Sequence, residues 1–154
     1  ASAILISKST KNKIGPFELG ADGSGADALE LPTGTNEIVM NGAKVLTFAM
    51  DVVPNNVNKL LKKIKIDKKN IHKFIFHQAS KYILDNINRR LSIEKNKTFE
   101  NYGKVGNTIS ASIPIALKDA YTKRKILVNK NIIVAGYGVG LSWGSALIKW
   151  SKLL

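Results

Sequence analysis

Cysteine is absent from the 154 residues of this chain, and acidic residues are scarce. Without cysteine the chain itself can form no disulfide bond, no cysteine-ligated zinc or iron–sulfur cluster and no cysteine nucleophile. Only 11 Asp and Glu residues accompany 24 Lys and Arg residues, which leaves a formal net charge of +13. No apolar run approaches the roughly 18–20 residues of a membrane span, and the first residues lack the basic region and long apolar segment of a signal peptide. We therefore expect a cytoplasmic protein that does not engage a membrane.

The residues that are present are sufficient for a folded domain. Apolar residues make up 44% of the chain, too large a share for a disordered basic tail, and the length is enough for one hydrophobic core. No internal repeat or linker divides the sequence, so residues 1–154 are predicted to form a single domain. The sequence begins without methionine and within an apolar run, which leads us to expect a fragment or a processed chain.

The pattern of apolar residues predicts alternating strands and helices. Strands are predicted at residues 3–7, 14–20, 71–76, 98–100, 132–135 and 143–150, and loops at residues 26–38 and 102–106. Helical periodicity predicts helices after Asn41, after Ser80 and over residues 109–122. Pro54 is predicted either to interrupt the first helix or to begin a second turn. This order, which ends with two consecutive strands, predicts an α/β fold with a mixed sheet.

The excess of positive charge allows three interpretations: a nucleic acid partner, an acidic protein partner, or a lysine-rich surface that is simply solvated. The densest run, residues 62–69, contains Ile64, Ile66 and Asp67 between its lysines, a pattern typical of a helix end and a turn. The sequence contains no zinc finger, helix-turn-helix or RNA-recognition motif. Charge alone therefore does not identify the partner.

Three clusters of polar residues and glycines lie at the ends of predicted strands or beside turns. They are His77-Gln78-Ala79-Ser80, residues 106–114 and residues 136–146. Because ligand sites of α/β folds gather beyond the carboxyl ends of strands, we expect the clusters to converge. Taken singly, His77 is compatible with a structural histidine, Asn107 with a helix cap and residues 136–140 with a turn. These glycines are not a dinucleotide fingerprint, since no helix with a distal acid follows them.

In their order and spacing, these motifs resemble the C-terminal half of β-ketoacyl-acyl-carrier-protein synthase III, a condensing enzyme of the thiolase-like fold. The resemblance runs through nearly the whole chain and includes the Met40-Asn41-Gly42 helix start, the His-Gln-Ala and Gly-Asn-Thr motifs and the closing Trp-Gly-Ser-Ala strand. It implies a mixed five-stranded sheet packed by helices. It also implies an acyltransferase of fatty acid biosynthesis, which joins an acyl thioester to malonyl-acyl-carrier protein in a decarboxylative Claisen condensation.

The resemblance assigns the catalytic roles to His77 and Asn107. Loss of carbon dioxide from a malonyl thioester leaves an enolate whose charge lies on the thioester oxygen. A neutral imidazole N–H and a side-chain amide N–H can stabilise that oxygen in a dry site. Asn107 also precedes a predicted helix N-terminus, where the macrodipole favours negative charge.

Further site residues follow from the same resemblance. Tyr137, Gly138, Val139 and Gly140 match the active-site turn of the family. In that turn, a backbone N–H at the position of Val139 helps to form an oxyanion hole. Members of the family usually have Phe in place of Tyr137, and many have Gly in place of Val139. The positions that line the family's pantetheine tunnel are Met40, Gly42, Leu46, Ala79 and Ser80. The basic residues implicated in docking the acidic carrier protein are Lys81, Arg89 and Arg90.

The family nucleophile is a cysteine of the N-terminal half, and this chain contains none. The resemblance therefore implies a missing N-terminal half, a homodimer of the intact enzyme, and an isolated chain that cannot form an acyl-enzyme. It implies no metal and no cofactor besides the substrates, a coenzyme A thioester and malonyl-acyl-carrier protein. An acidic carrier protein accounts for the +13 charge better than a nucleic acid does. The alternative is a non-catalytic thiolase-like subunit that binds acyl carrier protein or an acyl ligand.

Overall fold

A computed structural model describes residues 1–6, 8–10 and 14–150. Its α-helices are α1 (Gly42–Ile64), α2 (Lys81–Arg90), α3 (Tyr102–Val105) and α4 (Ser112–Thr122). Its strands are β1 (Ile14–Ala21), β2 (Leu29–Glu30), β3 (Val39–Met40), β4 (Lys73–Phe76), β5 (Asn131–Gly138) and β6 (Ser142–Lys149). Short 3-10 helices lie at Gly23–Ala28, Lys68–Asn70, Lys95–Lys97 and Ile109–Ala111. None of the helices in the described part of the chain is both long and apolar enough to cross a membrane.

Four of the strands form one mixed sheet in the order β1-β6-β5-β4. β4 runs parallel to β5, whereas β6 is antiparallel to both β5 and β1. β2 and β3 form a separate antiparallel pair. The chain therefore has an α/β fold with a mixed sheet packed by helices, as the sequence predicts.

Side chains on both faces of the sheet are buried under helices. Successive side chains of β4 point to opposite faces of the sheet. Phe74 and Phe76 pack in a cluster with α1 and α2, whereas Ile75 packs in a second cluster with α4. In β5, Ile133 belongs to the first cluster and Ile132 to the second. Because β4 and β5 are parallel, their carboxyl ends lie at the same edge of the sheet, and the segments that follow them meet there.

The predicted helix starts at Asn41 and Ser80 are confirmed. The side-chain oxygen of Asn41 accepts a hydrogen bond from the backbone N–H of Lys44 at 3.0 Å. Ser80 caps α2 in the same way, through the backbone N–H of Ile83 at 3.3 Å. α1 ends within the lysine-rich run, where Lys65 adopts the left-handed conformation of a helix C-terminus. The predicted helix end in that run is therefore also confirmed.

Both predictions for Pro54 are wrong, because α1 continues through it. Proline has no N–H to donate to the carbonyl one turn earlier, so this part of α1 lacks one helical hydrogen bond. The neighbouring Val53 and Val57 are buried in the core. Since the stability of a helix in a protein comes mainly from packing of its apolar face, these contacts maintain the helix across the proline.

The sheet has four strands in the described residues, and the expected count of five is wrong. The strand predicted at residues 98–100 is reduced to one parallel bridge between Thr98 and Phe74. Thr98 directly follows the 3-10 helix Lys95–Lys97, whose last turn it closes with its own N–H. The segment therefore continues from a turn and makes only a single strand-like contact with β4.

The strand predicted at residues 3–7 is not formed in the part that the structure describes. Residues 3–6 have no regular structure, and Leu5 is 89% exposed. Ser7 lies outside the described residues. A strand requires a neighbour that takes its backbone hydrogen bonds, and no described strand pairs with residues 3–6.

Segments predicted as loops or turns contain more regular structure than expected. Residues 102–105 form α3, and Gly106 with its φ of 67° follows it. The loop predicted at residues 26–38 contains the short strand β2. The turn predicted at residues 136–140 is shorter, because β5 continues to Gly138. Glycine marks where a chain can turn, but pairing between neighbouring strands decides where the turn begins.

Candidate active site

His77 directly follows β4. Its backbone N–H donates to the carbonyl of Ala135 at 2.9 Å, so the pairing of β4 with β5 extends to this residue. The imidazole Nδ1 lies 2.6 Å from the hydroxyl oxygen of Ser112. Burial lowers the pKa of His77 below its ordinary value of 6.5, because an imidazolium ion loses solvation in this position. The imidazole is therefore neutral near pH 7.

Asn107 lies between α3 and α4. Its side-chain oxygen accepts a hydrogen bond from the backbone N–H of Ile109 at 2.9 Å. This local contact orients the carboxamide and leaves its two N–H bonds as donors. The 3-10 helix Ile109–Ala111 separates Asn107 from α4, so the α-helix begins later than the sequence predicts.

His77 and Asn107 line the same cavity, which has a volume of about 230 Å³. The other predicted site residues that line it are Met40, Gly42, Leu46, Ala79, Tyr137 and Gly138. Most of these side chains are apolar or absent. The cavity is open to solvent on one side in this chain, because Met40 is 62% exposed and Gly42 and Asn107 are also exposed. A hydrogen bond from His77 or Asn107 to a developing charge becomes stronger once a bound ligand excludes that water.

Tyr137 packs against the edge of the histidine. The ring centroids of Tyr137 and His77 are 5.2 Å apart with an interplanar angle of 84°. Phe48 makes a second edge contact with Tyr137, at 6.1 Å between centroids. The Tyr137 hydroxyl is buried and has no hydrogen-bond partner among the described residues. Burial raises the pKa of Tyr137, so the phenol stays protonated.

Among the residues predicted for the active-site turn and the tunnel, three do not line the cavity: Ser80, Val139 and Gly140. The Val139 side chain is 63% exposed, and its carbonyl accepts a hydrogen bond from the Ser142 hydroxyl at 2.7 Å. Gly140 has a φ of 140° in the turn between β5 and β6. The Ser80 hydroxyl caps α2, immediately after the cavity residue Ala79. Each of the three is next in sequence to a residue that does line the cavity, namely Ala79, Gly138 or Leu141.

The three predicted docking residues lie on α2, and all are exposed. Lys81 forms an ion pair with Asp85, one turn along the same helix. Arg90 forms an ion pair with Asp51 of α1. Arg89 donates a hydrogen bond to the neutral side chain of Asn86. Two of the three cations are therefore partly neutralised by aspartates, whereas Arg89 has no acidic partner among the described residues.

Comparison with known protein families identifies the chain. The family model described as 3-oxoacyl-[acyl-carrier-protein (ACP)] synthase III C terminal matches residues 61–150, more than half of the sequence. The chain belongs to this synthase III family.

Individual proteins that are similar to this chain are also described as synthase III. The β-ketoacyl-[acyl-carrier-protein] synthase III of Natranaerobius thermophilus is 42% identical over 148 residues, which cover 87% of this chain and 45% of that protein. The synthase III of Staphylococcus epidermidis is 33% identical over 153 residues, which cover 99% of this chain and 49% of that protein. The chain spans about half the length of the curated relatives it matches.

Solved structures of synthase III show the same fold. The crystal structure of 3-oxoacyl-[acyl-carrier-protein] synthase III from Aquifex aeolicus VF5 matches with a TM-score of 0.88 and 30% identity, covering 94% of this chain and 46% of that one. The enzyme from Thermus thermophilus matches with a TM-score of 0.86 and 32% identity, covering 94% of this chain and 48% of that one. The thiolase-like fold predicted from the sequence is therefore confirmed.

Sequence reasoning missed several of the residues that line this cavity. The additional cavity residues are Leu29, Val45, Phe48, Ile83 and Leu141. Val45 has a detectable signal, because it lies three residues after Gly42, and the predicted site residue Leu46 lies four residues after Gly42, so both are neighbours of Gly42 on the helix surface. Leu141 has no local signal: it is held there by two backbone hydrogen bonds exchanged with Asp22, at 2.8 and 2.9 Å. The contact of Ser112 with His77 was likewise not predicted.

Proposed function

We propose that this chain supplies the catalytic His and Asn of a synthase III that condenses an acyl thioester with malonyl-acyl-carrier protein in fatty acid biosynthesis. One observation supports this most directly: His77 and Asn107 come from different segments of the chain and line the same cavity. An N-terminal half that carries the cysteine nucleophile completes the enzyme. We refer to the two halves together as the whole synthase.

In the proposed reaction, the bond between the α-carbon and the carboxylate of the malonyl thioester breaks. Carbon dioxide leaves, and the electron pair forms an enolate with its charge on the thioester oxygen. The N–H groups of His77 and Asn107 donate hydrogen bonds to that oxygen. The α-carbon then attacks the acyl carbonyl carbon on the cysteine, and the thiolate leaves. A neutral His77, which its lowered pKa supports, stabilises the enolate without protonating its carbon.

The apolar walls of the cavity suit a pantetheine arm and a short acyl group. Met40 ends β3, and Gly42 and Leu46 lie in the first turns of α1. All three line the cavity, as does Ala79, two residues after the proposed catalytic histidine. Space is open around Gly42, where an added Cβ would meet no atom within 4 Å. We propose that the thioester of coenzyme A and that of the carrier protein approach His77 past these residues.

The isolated chain is proposed to be inactive in condensation, because acyl transfer to an enzyme needs a nucleophile and the chain has no cysteine. Its match to 45–49% of the length of its relatives supports a second half. We further propose that the whole synthase is a cytoplasmic homodimer. No cofactor besides the thioester substrates is proposed.

An acidic acyl carrier protein is the proposed partner of the α2 surface. Arg89, which pairs with no acid in the part of the chain that the structure describes, is proposed to be the principal contact. Arg90 and Lys81 can join it when acidic groups of the carrier compete with Asp51 and Asp85 for their ammonium or guanidinium groups. Such contacts steer a partner towards the cavity more than they add to final affinity.

The test is substitution of the two donors in the whole synthase. His77→Ala and Asn107→Ala should each lower the rate of malonyl decarboxylation by about 100- to 1,000-fold, the usual cost of removing one oxyanion donor. Acylation of the cysteine by the acyl thioester should be affected less. His72→Ala is the matched control, because the other histidine of the chain does not line the cavity. Wild-type turnover in both donor variants would contradict the proposal.

A second candidate is a non-catalytic thiolase-like subunit that binds acyl carrier protein or an acyl ligand. The cysteine-free chain and its largely apolar cavity favour it. The two candidates differ in one measurement, which is incubation of the whole synthase with a radiolabelled acyl thioester. Covalent labelling of a cysteine followed by condensation supports the enzyme, and ligand binding without labelling supports the subunit.

A further inference from the structure

Ser112 makes a close contact with the proposed catalytic histidine. Ser112 is the first residue of α4 and is 2% exposed. Its hydroxyl oxygen lies 2.6 Å from Nδ1 of His77. The other ring nitrogen, Nε2, has no hydrogen-bond partner among the described residues and is therefore available for a ligand. Tyr137 contacts the ring edge-on, so the position of the imidazole is defined from two directions.

The direction of this hydrogen bond determines which nitrogen carries the proton. A neutral imidazole has one N–H and one bare nitrogen, and a serine hydroxyl can either donate or accept. If Nδ1 donates to Ser112, Nε2 is bare and cannot stabilise an enolate oxygen. If the Ser112 hydroxyl donates to Nδ1, the proton is on Nε2 and can be donated to a ligand. Only the second arrangement is compatible with the proposed reaction.

The position of Ser112 also favours a neutral ring. The N-terminus of α4, a helix of 11 residues, carries a partial positive charge beside Nδ1. A second positive charge on the imidazole is unfavourable there, and an uncharged hydroxyl donor avoids it. Asn107 and Ser112 flank the 3-10 helix Ile109–Ala111, so one short segment supplies a donor for the ligand and a donor for the histidine.

We propose that the Ser112 hydroxyl donates to Nδ1 of His77 and thereby holds the imidazole as its Nε2–H tautomer, with Ser112 acting as a positioning residue for decarboxylation. This inference rests on the proposed function of His77, but the tautomer itself can be measured without any assay of activity. Ser112 does not line the cavity, so its effect on the reaction passes through the histidine.

His72 provides an internal reference for the tautomer. Its Nε2 lies 3.2 Å from the backbone nitrogen of Leu127. A backbone N–H can only donate, so Nε2 of His72 is the acceptor and its proton is on Nδ1. His72 and His77 are the two histidines of the chain. They are therefore expected to be opposite tautomers, which show different patterns of imidazole nitrogen chemical shifts.

The experiment is nitrogen-15 NMR of the whole synthase labelled at histidine, with signals assigned by His72→Asn and His77→Asn. Wild-type His77 should show the Nε2–H pattern and His72 the Nδ1–H pattern. Ser112→Ala should shift His77 towards a mixture of tautomers. It should also lower kcat for malonyl decarboxylation by about 10- to 100-fold and leave KM nearly unchanged. This is less than the roughly 100- to 10,000-fold that a group transferring the proton itself contributes, because Ser112 acts only through the histidine. Ser112→Thr, which keeps a hydroxyl, should restore both the tautomer and kcat, and the exposed Ser110→Ala is the matched control.

Two results would overturn the inference. The first is an Nδ1–H pattern for His77 in the wild type, a measurement that does not depend on the folding of any variant. The second is an unchanged Nε2–H pattern in Ser112→Ala. If His77→Ala retained full turnover, the proposed function would fail, whereas the NMR result would still decide whether Ser112 sets the tautomer.

Discussion

The side-chain oxygen of Gln78 accepts a hydrogen bond from the backbone N–H of Asn101 at 3.0 Å. The side-chain nitrogen of Gln78 donates to the carbonyls of Phe76 and Phe99, at 2.8 and 3.3 Å. The Gln78 side chain is fully buried. One carboxamide therefore joins the end of β4, directly before His77, to the segment that leads through α3 to Asn107.

Gln78→Leu should strongly destabilise the protein. Leucine has a similar volume but leaves the three backbone groups bonded to Gln78 buried without partners. The free energy of unfolding should fall by about 3 kcal/mol, because each unsatisfied buried group costs about 1–3 kcal/mol. Urea unfolding of the whole synthase measures the change. Asn96→Leu, at an exposed amide, is the control and should change it by no more than about 0.5 kcal/mol. Equal effects of the two substitutions would exclude the bridging role.

Tyr137→Phe should increase stability. The Tyr137 hydroxyl is buried without a partner among the described residues, and removing it avoids the cost of its desolvation. A gain of about 1 kcal/mol in the free energy of unfolding is expected. Tyr82→Phe, at a tyrosine that is 61% exposed, should leave the free energy of unfolding unchanged. A loss of stability in Tyr137→Phe would mean that the hydroxyl makes a favourable contact in the whole protein.

Stability should fall on mild acidification because of the two histidines. The pKa values of His77 and His72 are both below the ordinary 6.5 in the folded chain, in each case chiefly through burial. Below about pH 6.5 the unfolded chain therefore binds protons that the folded chain does not bind, so the free energy of unfolding decreases as the pH falls. The decrease ends once the pH is below the folded pKa values. Urea unfolding between pH 7.5 and about 5 measures the slope.

Single-histidine variants separate the two contributions to this slope. His77→Asn and His72→Asn should each remove part of the pH dependence, and the double variant should remove both parts. If the double variant kept the wild-type dependence of the free energy of unfolding on pH, groups other than these histidines would be responsible for the acid sensitivity.

Arg89→Glu should weaken the interaction of the whole synthase with an acidic carrier protein. Because the site is exposed, an increase in KM for the malonyl-carrier substrate of about two- to fivefold is expected. The increase should shrink as salt is added, since salt screens exposed charges. Lys130→Glu is the matched control, an exposed cation outside α2. The same rise in KM for both variants would indicate a general effect of net charge and not a docking site.

Asp51→Asn tests the role of the ion pair between α1 and α2. Removing the Asp51 carboxylate frees the guanidinium of Arg90, so KM for the acidic substrate should fall at low salt, by up to about fivefold. Steady-state kinetics at two ionic strengths are sufficient. A higher KM would show that Asp51 holds Arg90 in a productive position.

The sequence by itself determined the parts of this protein that depend on neighbours along the chain. Asn41 and Ser80 each bond to a backbone N–H three residues later, so the starts of α1 and α2 were predictable from local chemistry. The apolar run over residues 71–76 likewise predicted a strand, which the structure has as β4. The motifs containing His77 and the asparagine of the second cluster identified the family through their order and spacing.

Only the tertiary structure decided which segments meet. Residues 3–6 have the composition of a strand, but pairing is a property of two segments, and the described chain offers them no neighbour. Pro54 remains helical because buried contacts on both sides outweigh one lost hydrogen bond. The contacts of Gln78 with Asn101 and of Ser112 with His77 join residues far apart in sequence. Such contacts leave no periodic trace in the sequence, since they arise only when the packed sheet and helices bring the two segments together.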